Sequence, residues 1–244
     1  MSDRFRWVFC QLETLRHSLP PSVRHTLKEL PESLDETYER ILNEIKKPNR
    51  DLALRILQCL VVAIRPLHVT ELVEVLAVDF NNGEGIARLN RNWRWEDQEQ
   101  ALLIACSSLI VIVEAGKINS DVCLHVKSHV KPEAGNSRVV QFSHFSVKEF
   151  LTSSRLATAT SDVSYYHIAL GPAHTILAQA CLCILLQTND DIEGHTPEEH
   201  PLARYSAEHW TTHAQFGEVS SHLQKEIVYL FDSDEPHFKS WLTL

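Results

Sequence analysis

The amino-acid sequence predicts a mainly α-helical fold: a helical bundle, a winged helix with a small β-wing, and then a second helical bundle. Only 7 of the 244 residues are glycine, which disfavours loop-rich barrels, sandwiches and phosphate-cradling folds. Apolar residues recur at helical spacing over most of the chain. The β-branched runs that are typical of buried strands fall within 109–142. We therefore divide the chain into segments 1–48, 49–145 and 146–244.

Segment 1–48 contains two amphipathic helical patterns. The first stops at Pro20-Pro21, and its apolar residues share one face: Phe5, Val8, Phe9, Leu12 and Leu15. The second begins at a capping box, in which Ser33 accepts a backbone hydrogen bond and Glu36 reaches back to the cap. Its apolar stripe continues until Pro48. Both patterns predict short helices.

Segment 49–145 has the element order of a winged helix. The predicted helices cover 53–64, a stretch capped by Thr70, and a stretch that begins near 95–97 with acidic residues in its first turn. The predicted strands cover 109–113 and 139–142, with a short candidate at 122–126. A glycine-containing loop at 81–85 separates the second helix from the third.

Segment 146–244 is predicted to be helical again. Ser146 and Glu149 have the spacing of a second capping box, and Gly171-Pro172 is expected to break the chain before the next helix. Two further helices are expected at 202–216 and 221–231. The last residues carry no helix-terminating pattern, which suggests that more protein follows.

The charge and cysteine content of the chain indicate which kinds of partner it can bind. The net charge is −9, so the chain lacks the electrostatic footprint of a protein that binds nucleic acid or anionic lipid. The 6 cysteines show no disulfide-framework spacing, which favours a reducing compartment. No signal peptide is visible, and we expect no uncharged apolar stretch long enough to span a bilayer. We expect a cytoplasmic protein whose partners are other proteins.

The motifs of the common catalytic classes are absent from the sequence. A P-loop needs G-x-x-x-x-G-K-[ST], and Gly83-x-Gly85 is followed by neither a third glycine nor a lysine. No G-x-S-x-G nucleophile elbow occurs. Ser143 and His144 are neighbours in sequence, whereas triads are assembled from distant segments. We therefore predict no catalytic residue and no enzyme activity.

Metal binding is also not expected. His209 and His213 lie one helical turn apart and could chelate zinc, but Trp210 stands where the H-E-x-x-H motif has glutamate, and no third ligand is evident. Cys181 and Cys183, two residues apart, point to different faces of a helix.

A winged helix raises DNA binding as an alternative. The helix that would enter a major groove, 95–108, carries Glu96, Asp97 and Glu99, which phosphates would repel. Packing against protein is therefore the preferred interpretation. Trp93 and Trp95, just before this helix, are alternatives for core packing or for anchoring a neighbouring domain.

His144 is the candidate binding residue. It stands where the last predicted strand meets the capped helix. One interpretation is a polar residue satisfied at a strand end. The other is an imidazole that donates a hydrogen bond to an anionic ligand held by another domain.

Five stretches give the chain a family resemblance. They are FRWVFCQL at 5–12, LPESLDETY at 30–38, RPLHVTEL at 65–72, ACSSL at 105–109 and QFSHFSVKEFL at 141–151. With them the chain resembles the segment that follows the nucleotide-binding core in fungal NACHT-type proteins of the STAND class, which are NLR-like. The winged-helix part is similar to the GPI inositol-deacylase type, and the helical remainder to the region that leads into ankyrin repeats.

The resemblance implies a regulatory role. In the family, the winged helix packs on the nucleotide-binding domain and holds the ADP-bound, closed state, and a histidine matching His144 contacts the nucleotide phosphate. The residue that follows is often Asp in the family, and here it is Phe145. No Walker motif is present, so ADP or ATP would be met only through an absent nucleotide-binding domain, of the same or a related chain.

The expected function is therefore a non-catalytic regulatory and interaction segment of a STAND-type signalling NTPase. It would control the closed-to-open switch and oligomerisation. The alternative is a stand-alone or degenerate protein-binding adaptor without nucleotide control.

Overall fold

A computed structural model describes residues 6–8, 10–12, 15, 21, 23, 30–80, 86–115, 138–187, 200–232 and 237–243. Most of these residues are helical, and the strands are short, so the predicted mainly α-helical fold is confirmed. The candidate strand at 122–126 and the loop at 81–85 lie outside the described residues.

The capped helix of the first segment is α1, Leu34–Glu44. Ser33 is its N-cap, and the Ser33 hydroxyl accepts the Glu36 N–H at 3.2 Å, as the sequence predicts. The Glu36 carboxylate accepts the Glu32 N–H at 3.0 Å instead of that of Ser33, so the reciprocal half of the box is shifted by one residue. The helix ends at Glu44, and a 3₁₀ turn at Lys47–Asn49 holds Pro48.

Removing the Ser33 hydroxyl provides a test of this cap. We expect Ser33→Ala to lower the free energy of unfolding by about 1 kcal/mol, because the Glu36 N–H loses its acceptor. Urea denaturation measures the change. Ser154→Ala, at an exposed position in a helix, is the matched control and should have a much smaller effect. Equal stability of the two variants would contradict this role for Ser33.

In its described residues, the middle segment has the order of helices and strands predicted for a winged helix; the wing itself, between the last two strands, lies outside them. Its elements are α2 (Arg50–Val62), β1 (Leu67–His68), α3 (Val69–Leu76), β2 (Val78–Asp79), β3 (Arg88–Leu89), α4 (Gln98–Cys106), β4 (Ile110–Glu114) and β5 (Arg138–Phe142). Strands β4 and β5 pair antiparallel, with Ile112 opposite Val140. Leu67 of β1 also pairs with Val140, so the sheet order is β1-β5-β4. The sequence did not predict β1, because two residues are too few to show an alternating pattern.

The cap of α3 differs from the prediction. Thr70 lies inside the helix, and His68 is the N-cap residue. The backbone N–H of His68 donates to Glu71 Oε2 at 2.7 Å. Glu71 also accepts two hydrogen bonds from Arg65, at 2.6 and 2.8 Å, so this carboxylate fixes the chain where α3 begins.

The last segment is a bundle built around one long helix. Its elements are α5 (Phe145–Leu151), α6 (Ser154–Ala157), α7 (Leu170–Gln187), α8 (Ala203–Ala214), α9 (Val219–His222), α10 (Gln224–Leu230) and α11 (His237–Thr243). Gly171 and Pro172 lie in the first turn of α7 and do not break the chain there, because proline is tolerated where no intrahelical N–H bond is required. The helix expected at 221–231 is divided at Leu223 into α9 and α10. Gly217, between α8 and α9, has a φ of 52°.

Helix α7 shows that one expectation was wrong, namely that no apolar stretch of the chain is long enough to span a bilayer. It has 18 residues without Asp, Glu, Lys or Arg and a mean hydropathy of 1.4, so by length and composition it could cross a membrane. The expected break at Gly171-Pro172 hid this continuous stretch. The helix packs against α2, α8 and α10, and most of its apolar residues are buried. That burial is typical of a core helix.

The buried apolar residues form one continuous cluster that extends from Tyr38 of α1 to Leu230 of α10. The boundaries at 48 and 145 therefore stay predictions. Four of the described cysteines lie in this cluster: Cys59, Cys106, Cys181 and Cys183. Cys10 is also buried.

Candidate functional site

His144 occupies the junction between β5 and α5. It is the N-cap of α5, with extended backbone angles, and its Nδ1 accepts the Ser146 N–H at 3.3 Å. The predicted capping box of Ser146 and Glu149 is therefore wrong: Ser146 lies inside the helix, and Glu149 is exposed. An imidazole nitrogen performs the role that the sequence pattern suggested for a serine hydroxyl.

A short hydrogen-bond chain fixes the imidazole. The Tyr38 hydroxyl lies 2.9 Å from Ser146 Oγ, and Ser146 Oγ lies 2.6 Å from His144 Nδ1. Because Nδ1 accepts from the Ser146 backbone, the neutral ring carries its proton on Nε2. Tyr38 is completely buried, and burial raises the pKa of its hydroxyl. These hydrogen bonds therefore hold the partly exposed imidazole of His144 in one orientation, with its N–H donor at Nε2.

Arg6 reaches the same junction from the N-terminal segment. Its Nη2 donates to the Ser108 carbonyl at 3.0 Å and to the Ser143 hydroxyl, which itself donates to the Ser108 carbonyl at 2.8 Å. Sequence reasoning missed Arg6, because an arginine beside an apolar stripe is ordinarily expected to face solvent. Its guanidinium is buried and brings a permanent positive charge to the residue that precedes His144.

The N-terminal helical turn packs with a different face from the predicted one. Val8 and Leu12, both assigned to the packed stripe, are 44% and 55% exposed. Cys10 and Gln11 are buried instead, and Gln11 Nε2 donates to Thr37 Oγ1 at 3.1 Å. Polar contacts to the junction and to α1 set this orientation, and they leave an apolar face exposed. Phe5 and Phe9 lie outside the described residues.

The junction is suited to holding an anion. The partly exposed His144 imidazole brings a donor. The buried Arg6 guanidinium, whose Nη2 already bonds Ser108 and Ser143, adds a permanent positive charge. Ser146 Oγ lies against His144, but Ser146 is buried and its hydroxyl also contacts Tyr38, so it does not face a solvent-accessible substrate. This arrangement fits recognition better than nucleophilic attack.

The histidine pair considered as a zinc site is engaged within the bundle. His213 is fully buried, with Nδ1 2.9 Å from His174 Nδ1 and Nε2 2.9 Å from the Tyr205 hydroxyl. Burial, with His174 beside it, lowers the pKa of His213 to about 3. Within the ranges that the structure describes, no group of three or more His, Cys, Asp or Glu is placed to hold a metal ion.

The buried thiols differ from activated cysteines. Burial raises the pKa of Cys59, Cys181 and Cys183 to about 12, and it raises that of Cys106 as well. A nucleophilic or metal-binding cysteine needs a lowered thiol pKa. Cys181 and Cys183 are therefore core residues of α7.

The helix considered for DNA reading is α4, which begins three residues later than Trp95. Glu96 and Asp97 are exposed just before it, and Glu99 pairs with Arg138 of β5 at 3.0 Å. Trp95 packs against the core, and Trp93 is 46% exposed. The outer surface at the start of α4 is therefore acidic.

Comparison with known proteins gives a relative but not a family. The chain is 30% identical over 222 residues to a protein of Monascus ruber named azaphilone pigments biosynthesis cluster protein L. The match covers 89% of this chain and 42% of that protein, so the chain spans less than half the length of its relative. No family model and no solved structure matches the chain.

Proposed function

We propose that this chain is a non-catalytic regulatory and interaction segment of a STAND-type signalling NTPase in the cytoplasm. It docks on a nucleotide-binding domain of the same or a related chain and controls the closed-to-open switch and oligomerisation. The observation that carries the proposal is the junction of β5 and α5, where His144 caps α5 and Arg6 bonds the preceding residue, Ser143. The length of the Monascus ruber relative, of which this chain matches 42%, leaves room for such a domain in proteins of this kind.

Three features of the junction support docking. The imidazole of His144 is fixed at Nδ1 by the Ser146 backbone, so its Nε2–H has a defined direction. Arg6 supplies positive charge next to it. Phe145, beside His144, is 43% exposed and adds an apolar group at the junction. A partly apolar surface with one fixed donor, backed by a buried positive charge, suits a protein face that presents a phosphate.

The switch requires a contact that differs between the two nucleotide states. A ligand shifts a conformational equilibrium only by its difference in affinity for the two states. Nε2–H of His144 can bond an ADP phosphate only while the segment is docked. Exchange for ATP would remove or displace that contact, and the segment would release and permit oligomerisation.

The test is a fusion of this chain to the nucleotide-binding domain of a NACHT-type protein. We expect His144→Ser to raise the ADP dissociation rate about tenfold, because a hydrogen bond to a phosphate is lost. Serine is a good N-cap residue, so α5 keeps its cap and the change isolates Nε2. Stopped-flow displacement of fluorescent ADP measures the rate.

Ser153→Ala is the control for the fusion, since it removes the cap of α6 away from the junction. Its ADP dissociation rate should equal that of the parent protein. An unchanged rate in the His144→Ser protein would remove His144 from the mechanism. Size-exclusion chromatography of the separate chain with the ADP-loaded domain tests docking itself, and absence of a complex would contradict the proposal.

A further inference from the structure

The outward face of α4 carries an apolar pair that no described element covers. Leu103 and Ile104 are 41% and 62% exposed. The opposite face packs against α2, α3 and β4 through buried residues, among them Leu102 and Ala105. Residues three and four apart share a helix face, so the exposed Gln100 lies beside the pair. Packing of another polypeptide on these two aliphatic side chains would remove their apolar surface from water.

The same face is acidic at its N-terminal end. Glu96 and Asp97 are exposed, and within the described residues neither of them forms an ion pair. An open groove runs between the start of α3 and the start of α4 and is lined by Val69, Thr70, Glu96, Asp97, Gln98 and Glu99. Its openness suits a polypeptide segment better than an enclosed small molecule. The face thus has an apolar half and an acidic half.

We propose that this face binds a basic amphipathic helix of another polypeptide. Its apolar residues would pack on Leu103 and Ile104, and its lysines or arginines would pair with Glu96 and Asp97. At 1.5 Å per residue, Ile104 lies about 10 Å along the helix axis from Asp97. The partner therefore needs its apolar and basic residues about two helical turns apart.

Charge complementarity selects this occupant over others. An acidic helix, an anionic membrane and duplex DNA would each place negative charge against the same carboxylates. The net charge of −9 adds a long-range attraction for a basic partner. The proposal is independent of the His144 junction, because it depends on other residues and needs no nucleotide.

The experiment measures binding of a designed peptide to the full chain. The peptide has about 18 residues, with leucines on one face at one end and lysines about two turns away. A matched peptide carries glutamate in place of lysine, and a short DNA duplex is the third probe. Fluorescence anisotropy is recorded at low and physiological salt. We expect the lysine peptide to bind at least about tenfold more tightly than the glutamate peptide, and less tightly as salt rises.

Variants of the chain locate the site. L103S/I104S and, separately, E96K/D97K should each weaken the lysine peptide about tenfold. The matched controls are Val228→Ser, which removes an exposed aliphatic residue of α10, and Glu44→Lys, which reverses an exposed charge on α1; both should leave binding unchanged. Circular dichroism and thermal unfolding show that each variant is folded. Equal binding of the two peptides, unchanged binding by both double variants, or preferential binding of the duplex would overturn the proposal.

Discussion

Replacing Glu74 with alanine is expected to lower the free energy of unfolding by about 3 kcal/mol, because a buried charge network loses its centre. Glu74 of α3 is 1% exposed. Its Oε1 lies 2.6 Å from Arg94 Nη2, and its Oε2 accepts the Leu202 N–H at 2.6 Å. His200 Nδ1 lies 3.7 Å from Oε1. One carboxylate thus joins the winged helix to the start of α8.

Urea denaturation of Glu74→Ala and Glu74→Gln separates the two parts of this effect. The glutamine can still accept the Leu202 N–H but has no charge for Arg94, so its loss of stability should be smaller than that of the alanine variant. Glu44→Ala changes an exposed carboxylate and is the control, with a change expected within about 0.5 kcal/mol. A Glu74→Ala protein as stable as Glu44→Ala would show that the network contributes nothing.

Contacts between residues far apart in the sequence, such as those of Glu74, could not be predicted from the sequence alone. Helices α1, α2, α3, α7 and α8 follow from local apolar spacing, and β4 and β5 follow from their β-branched runs, because these patterns are complete within a few residues. Glu74 and Leu202 are separated by 128 positions, and Arg6 and Ser143 by 137. No local pattern links such pairs, so neither the Glu74 network nor the part played by Arg6 was predicted.

The candidate site was also predicted only in part. The position of His144 at the end of the last strand was predicted from the chain alone, and the structure places it there. Its capping role was not, because serine and threonine dominate expectations for N-caps, and Ser146 offered a familiar spacing. Val8 and Leu12 were predicted to be packed but are exposed. The polar contacts of Arg6 and Gln11 decide which side of that helical turn is buried.

A second network crosses between the winged helix and the last bundle. The Tyr205 hydroxyl accepts the Ile64 N–H at 3.2 Å and contacts His213 Nε2, and Arg65 lies over the Tyr205 ring at 4.9 Å. His174 of α7 faces the other nitrogen of His213, and its ring stacks on Phe216. This network requires uncharged imidazoles, because burial lowers the pKa of both His213 and His174.

Acidification is therefore expected to destabilise the fold before most carboxylates titrate. Folded His213 has a pKa of about 3, whereas an unfolded histidine has one of about 6.5. Below pH of about 6.5 the unfolded chain binds a proton that the folded chain excludes, so stability is complete above that pH and falls as pH decreases toward 3. From pH 7 to pH 5 the expected loss is about 2 kcal/mol, and His174 acts in the same direction. Urea midpoints measured across this interval test the prediction.

His213→Gln distinguishes this cause from general acid sensitivity. The variant is less stable at pH 7, because Tyr205 and His174 lose a partner, but its stability should change much less between pH 7 and pH 5, since the titrating group is gone. His222→Gln replaces an exposed histidine of α9 and should keep the parental pH dependence. If His213→Gln lost stability with acid as steeply as the parent, the dependence would have another origin. If stability depended less on pH in that variant alone, the packing of α7 against α8 would be shown to depend on a neutral imidazole at position 213.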